Sequence, residues 1–305
     1  MRFVCYRGSE PVEEKKQIII ESNIRNRVED VERVISIQHM LINENIKKLY
    51  IRFTTCEYLD AAVAVLLGTM PTYAKSIDKR VYYRFGESEN LDQSSNNHTI
   101  LDFMKKVGMY KFYMKNSIGY TGENAIPFDN IINEDMMDKY TNKIMDLAPI
   151  KMQPDAKDIL ASYIYEIYQN AFCHSQSHIG VFTSGAWMPA NKEFSFSIYD
   201  MGIGIPKSIR VHKHVEWEGI ECLKWAFIEG NTTVEEDVIT RGLGLSTLEK
   251  FIRLNEGTMY VYTDDVLCII DRNKPIQYQS LEKRIKGTLI IINIRADDNH
   301  IYIVA

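Results

Sequence analysis

Metal-binding cysteine pairs, an excess of basic charge, a membrane-length apolar run and any internal repeat are all missing from this chain, and each absence removes a class of function. The five cysteines, Cys5, Cys56, Cys173, Cys222 and Cys268, show no CxxC or Cys/His spacing. That pattern fits buried thiols in a reducing compartment and argues against a disulfide framework or a zinc site. His174 and His178 lie at i, i+4, but the second falls where a strand is expected and no third ligand is near, so zinc is not expected there. A formal charge of −5 and a pI of about 5.9 leave no overall basic footprint, so nucleic acid is not indicated, and small molecules or proteins are the expected partners. No run approaches the ~18 apolar residues of a membrane span, and the opening Met1–Glu10 stretch has no continuous apolar core. A cytoplasmic location away from membranes is the expectation.

What is present is the composition of a globular chain: 305 residues, 45% hydrophobic and 25% charged, enough to bury a core in one large or two ordinary domains. Residues 1–150 read as one α/β unit. Val28–Asn43 carries Val31, Val34, Ile35, Met40 and Leu41 as an approximate helical stripe. Lys48–Phe53 alternates as a strand, and Leu59–Met70 is rich in helix formers. Arg80–Phe85 predicts another strand, Glu87–Asn97 a polar loop, and Thr99–Val107 a helix with Thr99 as N-cap. Gly119–Asn142 is polar and turn-rich, and Pro149 and Pro154 bracket a joint, which places the domain boundary near residue 150. Asp155–Cys173 then has Ile159, Leu160, Tyr163, Ile164, Ile167 and Ala171 at helical spacing. Strands are predicted over His178–Trp187 and Glu193–Asp200, helices around Trp217–Glu229 and Leu245–Leu254, and strands near Thr258–Thr263 and Thr288–Ile294.

Four short stretches in the second half carry the chemistry. Ser162, Glu166 and Asn170 recur every four residues and share one line of their helix. A carboxylate one turn from an amide suits a metal–triphosphate site, with Asn170 offering its carbonyl oxygen to Mg²⁺ and Glu166 orienting and deprotonating an attacking water or hydroxyl; the same spacing also suits a solvated helix face. Asp200 ends an apolar strand and is followed by Gly202 and Gly204. Such a carboxylate can accept from an exocyclic amine while the glycines let backbone approach a base or phosphate, and a tight turn is the plainer alternative. Gly242 and Gly244 precede a helix beginning at Leu245, which either directs free N–H groups at an anion or simply caps the helix. Gly230–Thr233 with Glu235, Glu236 and Asp237 reads as a lid over a nucleotide or as a surface loop. Trp217 and Trp225 read as core or lid packing.

In order and spacing these stretches resemble the GHKL ATPase superfamily, which includes gyrase-type topoisomerases, heat-shock chaperone ATPases, MutL and histidine kinases. Glu166–Asn170 is similar to its N box, Asp200-Met-Gly202-Ile-Gly204 to its G1 box, Arg241-Gly242-Leu243-Gly244-Leu245 to its G2 box, and Gly287-Thr288 to its final box. The resemblance covers about half the chain. It implies a Bergerat fold over 151–305, a mixed sheet with helices on one face, binding ATP and Mg²⁺ beneath a lid. It further implies that Asp200 reads the adenine amine with support from Thr288, that Asn170 ligates Mg²⁺, and that Glu166 is the general base. Gly202, Gly204, Thr233, Arg241, Gly242, Leu243, Gly244 and Leu245 would line the nucleotide site.

Residues 48–70 are similar to the STAS domain of anti-sigma-factor antagonists, a strand and loop followed by Leu59-Asp60-Ala61-Ala62-Val63 opening a helix. Ala61 and Ala62 offer no hydroxyl where regulated members carry a phosphorylatable serine. The first unit is then expected to dock a protein partner or to form a homodimer. Together the readings imply an α/β protein working as a nucleotide-dependent switch in bacterial-type signalling or defence, hydrolysing ATP slowly. His39 lacks the flanking residues of a histidine-kinase phosphoacceptor. A serine kinase acting on a partner stays open, because Glu166 would activate a hydroxyl equally well. A non-catalytic sensor or scaffold also stays open, because no lysine after the lid matches the γ-phosphate clamp of hydrolysing members.

Overall fold

The computed structural model describes residues 2–4, 15–85, 98–114, 122–147, 151–152, 154–188, 192–231, 244–272, 274–295 and 301–302. They form two compact units that divide between Gly122 and Glu123.

The first unit contains β1 (Arg2–Val4), β2 (Lys15–Ile20), α1 (Val28–Asn43), β3 (Lys48–Phe53), α2 (Ala64–Ser76), β4 (Arg80–Phe85), α3 (His98–Lys106) and α4 (Met109–Tyr113). Its four-stranded sheet runs β1-β2-β3-β4, with β1 antiparallel to β2 and the β2/β3 and β3/β4 pairs parallel. Each parallel step is bridged by a helix, as the geometry of a parallel pair requires. Alternation then sorts the side chains. Ile18, Leu49, Ile51 and Phe53 are buried, and Phe53 stacks on Phe85 at 5.9 Å. The Tyr83 hydroxyl hydrogen-bonds the Leu67 carbonyl of α2, so this face of the sheet is the one the helix covers. The α1, β3 and β4 spans match the sequence periodicity end for end. Two expectations move: α2 starts at Ala64 instead of Leu59, because Asp60 first turns the chain by accepting from the Ala62 and Val63 N–H groups at 2.9 and 3.3 Å, and α3 begins at His98, which puts Thr99 inside the first turn instead of at the cap.

The second unit contains β5 (Ala125–Ile131), α5 (Glu134–Leu147), β6 (Lys151–Met152), α6 (Pro154–His174), β7 (Val181–Met188), β8 (Glu193–Asp200), α7 (Ile205–Lys213), α8 (Gly219–Ala226), α9 (Gly244–Leu254), β9 (Thr258–Asp271), β10 (Gln277–Arg295) and β11 (Ile301–Tyr302). Its principal sheet runs β5-β7-β8-β10-β9, and β6 pairs with β11 in parallel. Every described pair of the principal sheet is antiparallel. The expected mixed sheet is therefore corrected: β7 and β8, and β9 and β10, follow one another too closely in the chain for the crossover that a parallel pair needs. Ile164 and Ile167 of α6, Leu248 and Phe251 of α9 and Met137 and Ile144 of α5 pack against Phe194, Phe196, Ile198, Ile290 and Ile292 of the sheet in one buried cluster.

The boundary also moves from near 150 to 122/123, because β5 pairs with β7 over Asp129↔Thr183 to Ile131↔Val181 and α5 joins the α6 core. The segment read as turn-rich is in fact an edge strand and a helix. Pro127 is tolerated in β5 because an edge strand needs ladder donors on one side only, and Met137, Tyr140, Thr141, Ile144 and Met145 are the buried stripe of α5. The α7 helix lies between Asp200 and Trp217, a stretch to which the sequence periodicity assigned no element. Among the described residues no helix is long and apolar enough to cross a membrane, and Cys56, Cys222 and Cys268 are buried thiols outside any disulfide.

Candidate functional site

A cleft of about 140 Å³ opens in the second unit between the sheet and its helices. Its floor is set by strand register. Asp200, the last residue of β8, pairs across β10 with Thr288, and Thr288 pairs onward with Thr263 of β9. Ile198 pairs with Ile290 one step along the same face, so the floor is apolar until it ends in one carboxylate and a hydroxyl. One wall is α6, which contributes Glu166, Ile167, Asn170 and Ala171, with Ser175 just beyond its end. The facing wall is Gly204 with Ile205, Ser208 and Ile209 of α7, then Trp225 and Asn231. Leu245, near the start of α9, completes the rim.

Asp200 is 3% exposed. Burial pushes its carboxyl up to about 7, against the opposing pull of the Gly202 and Thr288 N–H groups and of the Lys286 charge. The Gly202 N–H donates to Asp200 Oδ1 at 2.8 Å. Lys286 is itself held below the ordinary ammonium value, chiefly by burial and then by Lys207. Beside the carboxylate, Thr263 Oγ1 accepts from the Ile205 N–H at 3.0 Å, donates to the Gly287 carbonyl at 3.2 Å and lies 3.1 Å from Thr288 Oγ1. These bonds tie the start of α7 to the β9/β10 end of the floor.

Two glycines are required by contact. A Cβ on Gly202 would overlap the carbonyl oxygen of Ser175, and the neighbouring Ile203 N–H donates to that same oxygen at 2.8 Å. The turn after β8 is thereby clamped onto the end of α6, fixing Asp200 relative to Asn170. Gly287 has φ +79 and a Cβ there would overlap the Asp200 carbonyl oxygen, a conformation and an approach that only glycine tolerates.

Of the residues expected from sequence, the structure brings Glu166, Asn170, Asp200, Gly204, Leu245 and Thr288 into this one cleft. Glu166 is half-buried and Asn170 exposed, one turn apart on the α6 wall. Gly202 acts behind the floor, through the Asp200 carboxylate and the Ser175 contact. Gly244 is the first residue of α9. Thr233, Arg241, Gly242 and Leu243, together with the lid from Thr232 onward, lie outside the described residues. Ser175, Ile205 and Ser208 line the cleft without having been singled out; Ser175 has no pattern of its own and is placed only by the Gly202 and Ile203 contacts. No group of three or more His, Cys, Asp or Glu side chains suited to holding a metal occurs among the described residues. No protein-family model matches the chain, and no curated protein matches it in sequence.

Proposed function

We propose that residues 123–305 bind Mg²⁺–ATP in this cleft in the manner of a GHKL-type ATPase, and that the bound nucleotide acts as a switch. The observation that carries the reading is the convergence of a buried carboxylate at the end of the floor with a carboxylate and an amide one turn apart on the adjoining wall. An apolar slot ending in an acceptor-only group accepts a flat base that presents an exocyclic amine. The donor set fits the metal as well. Mg²⁺ keeps several waters and takes one or two protein oxygens plus phosphates, so a lone Asn170 Oδ1 is a sufficient protein ligand and a cage of carboxylates is not needed.

When bound, ATP supplies the phosphoanhydride and Mg²⁺ the charge neutralisation. The chain's own residues do the rest. Asp200 Oδ accepts from the base, and Thr288 lies beside it on the paired strand. Ionised Asp200 is the better acceptor for the amine, because protonation turns one of its two oxygens into a donor. Glu166 takes the proton from the attacking oxygen through its carboxylate. Docking of a protein partner or of a second copy is proposed for the first unit, whose parallel three-strand core with covering helices agrees with a STAS-like arrangement.

The test is incubation of the purified chain with Mg²⁺ and γ-labelled ATP, following free phosphate and protein-bound label for wild type, Asn170→Ala and Glu166→Gln. Phosphate release that is lost in both variants, with ATP affinity kept in Glu166→Gln, is the expected result. Label appearing on an added protein would replace hydrolysis by kinase activity, and binding that yields neither product in wild type would make the protein a sensor. Absence of any ATP binding overturns the reading.

A further inference from the structure

The register of the first unit's sheet has a consequence unrelated to the cleft. Lys15, Lys48 and Arg80 are aligned across β2, β3 and β4; Gln17, Tyr50 and Tyr82 form the next row on the same side; Ile19, Arg52 and Arg84 form the third. The intervening residues Ile18, Leu49 and Ile51 point the other way into the helix-covered core. In these three rows the face away from the helices thus carries Lys15, Lys48, Arg80, Arg52 and Arg84, with no carboxylate. Arg52 and Gln17 are buried, so the accessible part is Arg80 and Tyr82, the latter 37% exposed, flanked by half-buried Lys15, Lys48, Tyr50 and Arg84. The Tyr50 and Tyr82 rings stack at 5.0 Å and 17°, and the Arg84 guanidinium stands 4.4 Å from the Tyr50 ring centre.

We propose that this face binds single-stranded nucleic acid, its phosphates along the Lys15, Lys48 and Arg80 row and a base against Tyr82, which Tyr50 backs by stacking. The cations gathered on this face outnumber the neighbouring Asp78, which pairs with Lys47 at 2.9 Å and also acts on Arg80, and the complement of such a face is a polyanion. The stacked tyrosines choose among polyanions. The acidic side chains of a peptide carry no aromatic face to stack, and a duplex keeps its base faces inside, whereas a single strand offers both phosphates and π-faces at once.

The test is fluorescence anisotropy of the full-length chain with a labelled single-stranded DNA 12-mer, with the matching duplex and polyglutamate as competitors. Binding should weaken steeply as salt rises from about 50 to about 200 mM. The Lys48→Glu, Arg80→Glu double variant should lose more than about tenfold in affinity, and Tyr82→Ala about tenfold, with Tyr82→Phe close to wild type. Circular dichroism and ATP binding should be unchanged in each, which separates this site from the cleft and from misfolding. No binding at low salt overturns the proposal. So does displacement by polyglutamate or duplex as effective as by unlabelled single strand, or full affinity in Tyr82→Ala.

Discussion

Asp60 in the first unit and Asp200 in the second are both withdrawn from water, with 4% and 3% of their surface exposed, and in both burial raises the carboxyl above its ordinary pKa. Their surroundings differ. Asp60 accepts from the Ala62 and Val63 N–H groups at the turn into α2, and Ala61, Ala62, Val63 and Leu66 around it are themselves buried. Asp200 also accepts a backbone N–H, yet it borders open space shared with Glu166, Asn170 and Thr288. A raised pKa alone therefore does not mark a site, because a carboxylate buried in a structural turn is displaced in the same direction as one that lines a cleft. What distinguishes Asp200 is the cavity that it lines.

The largest effect that sharpens this contrast is on stability against pH. Asp200 has a folded pKa of about 7 against an unfolded value of 3.8, so between those values the native state holds a proton that the unfolded chain has released. Stability is full below the unfolded pKa and falls as pH rises through about 7, by roughly 4 kcal/mol at most. Denaturant melts of wild type and Asp200→Asn across this range should differ in that slope. Saturating Mg²⁺–ATP should flatten it in wild type, because the bound amine favours the ionised form, while the part due to Asp60 stays. An unchanged slope with ATP would make Asp200 as structural as Asp60.

Next in size is affinity. Asp200→Asn should weaken ATP binding roughly a hundredfold by calorimetry, since it places donors against a donor, and Asp60→Asn should leave it within about twofold. In wild type the affinity should rise with pH towards about 7, opposite in direction to the stability. Gly202→Ala should cost about 3 kcal/mol in thermal or denaturant unfolding by forcing the turn after β8 away from Ser175 and the end of α6, and should weaken ATP binding together with stability. Asp60→Ala should cost about 1–2 kcal/mol through the lost turn bonds with no effect on the nucleotide. Thr263→Val, which removes the acceptor for the Ile205 N–H, should cost about 1 kcal/mol.

Much of the chain was legible from periodicity. Lys48–Phe53, Arg80–Phe85, Glu193–Asp200 and Val28–Asn43 appear with the ends that alternation or helical spacing assigns; Val28–Asn43 does so by burying one stripe, whereas Glu193–Asp200 is buried along nearly its whole length. The misreadings fall where a local signal pointed elsewhere. Pro127 and the surrounding polar residues hid β5, whose edge position excuses the proline. Ile203, Ile205 and Ile209 are interrupted by Gly204 and Pro206, which mask the helical spacing, yet Pro206 sits in the first turn of α7, where its missing N–H costs nothing.

By itself the sequence determined which residues could share a helix line, such as Glu166 with Asn170, and which strands alternate, since 3.6- and 2-residue periods are properties of near neighbours. Only the tertiary structure decided that Asp200 stands opposite Thr288, that Gly202 touches Ser175, that the second unit begins at Glu123, and that Lys48, Arg80, Tyr50 and Tyr82 lie on one face. These are relations of register and packing between distant segments, selected by burial of the whole core, and no local pattern encodes them.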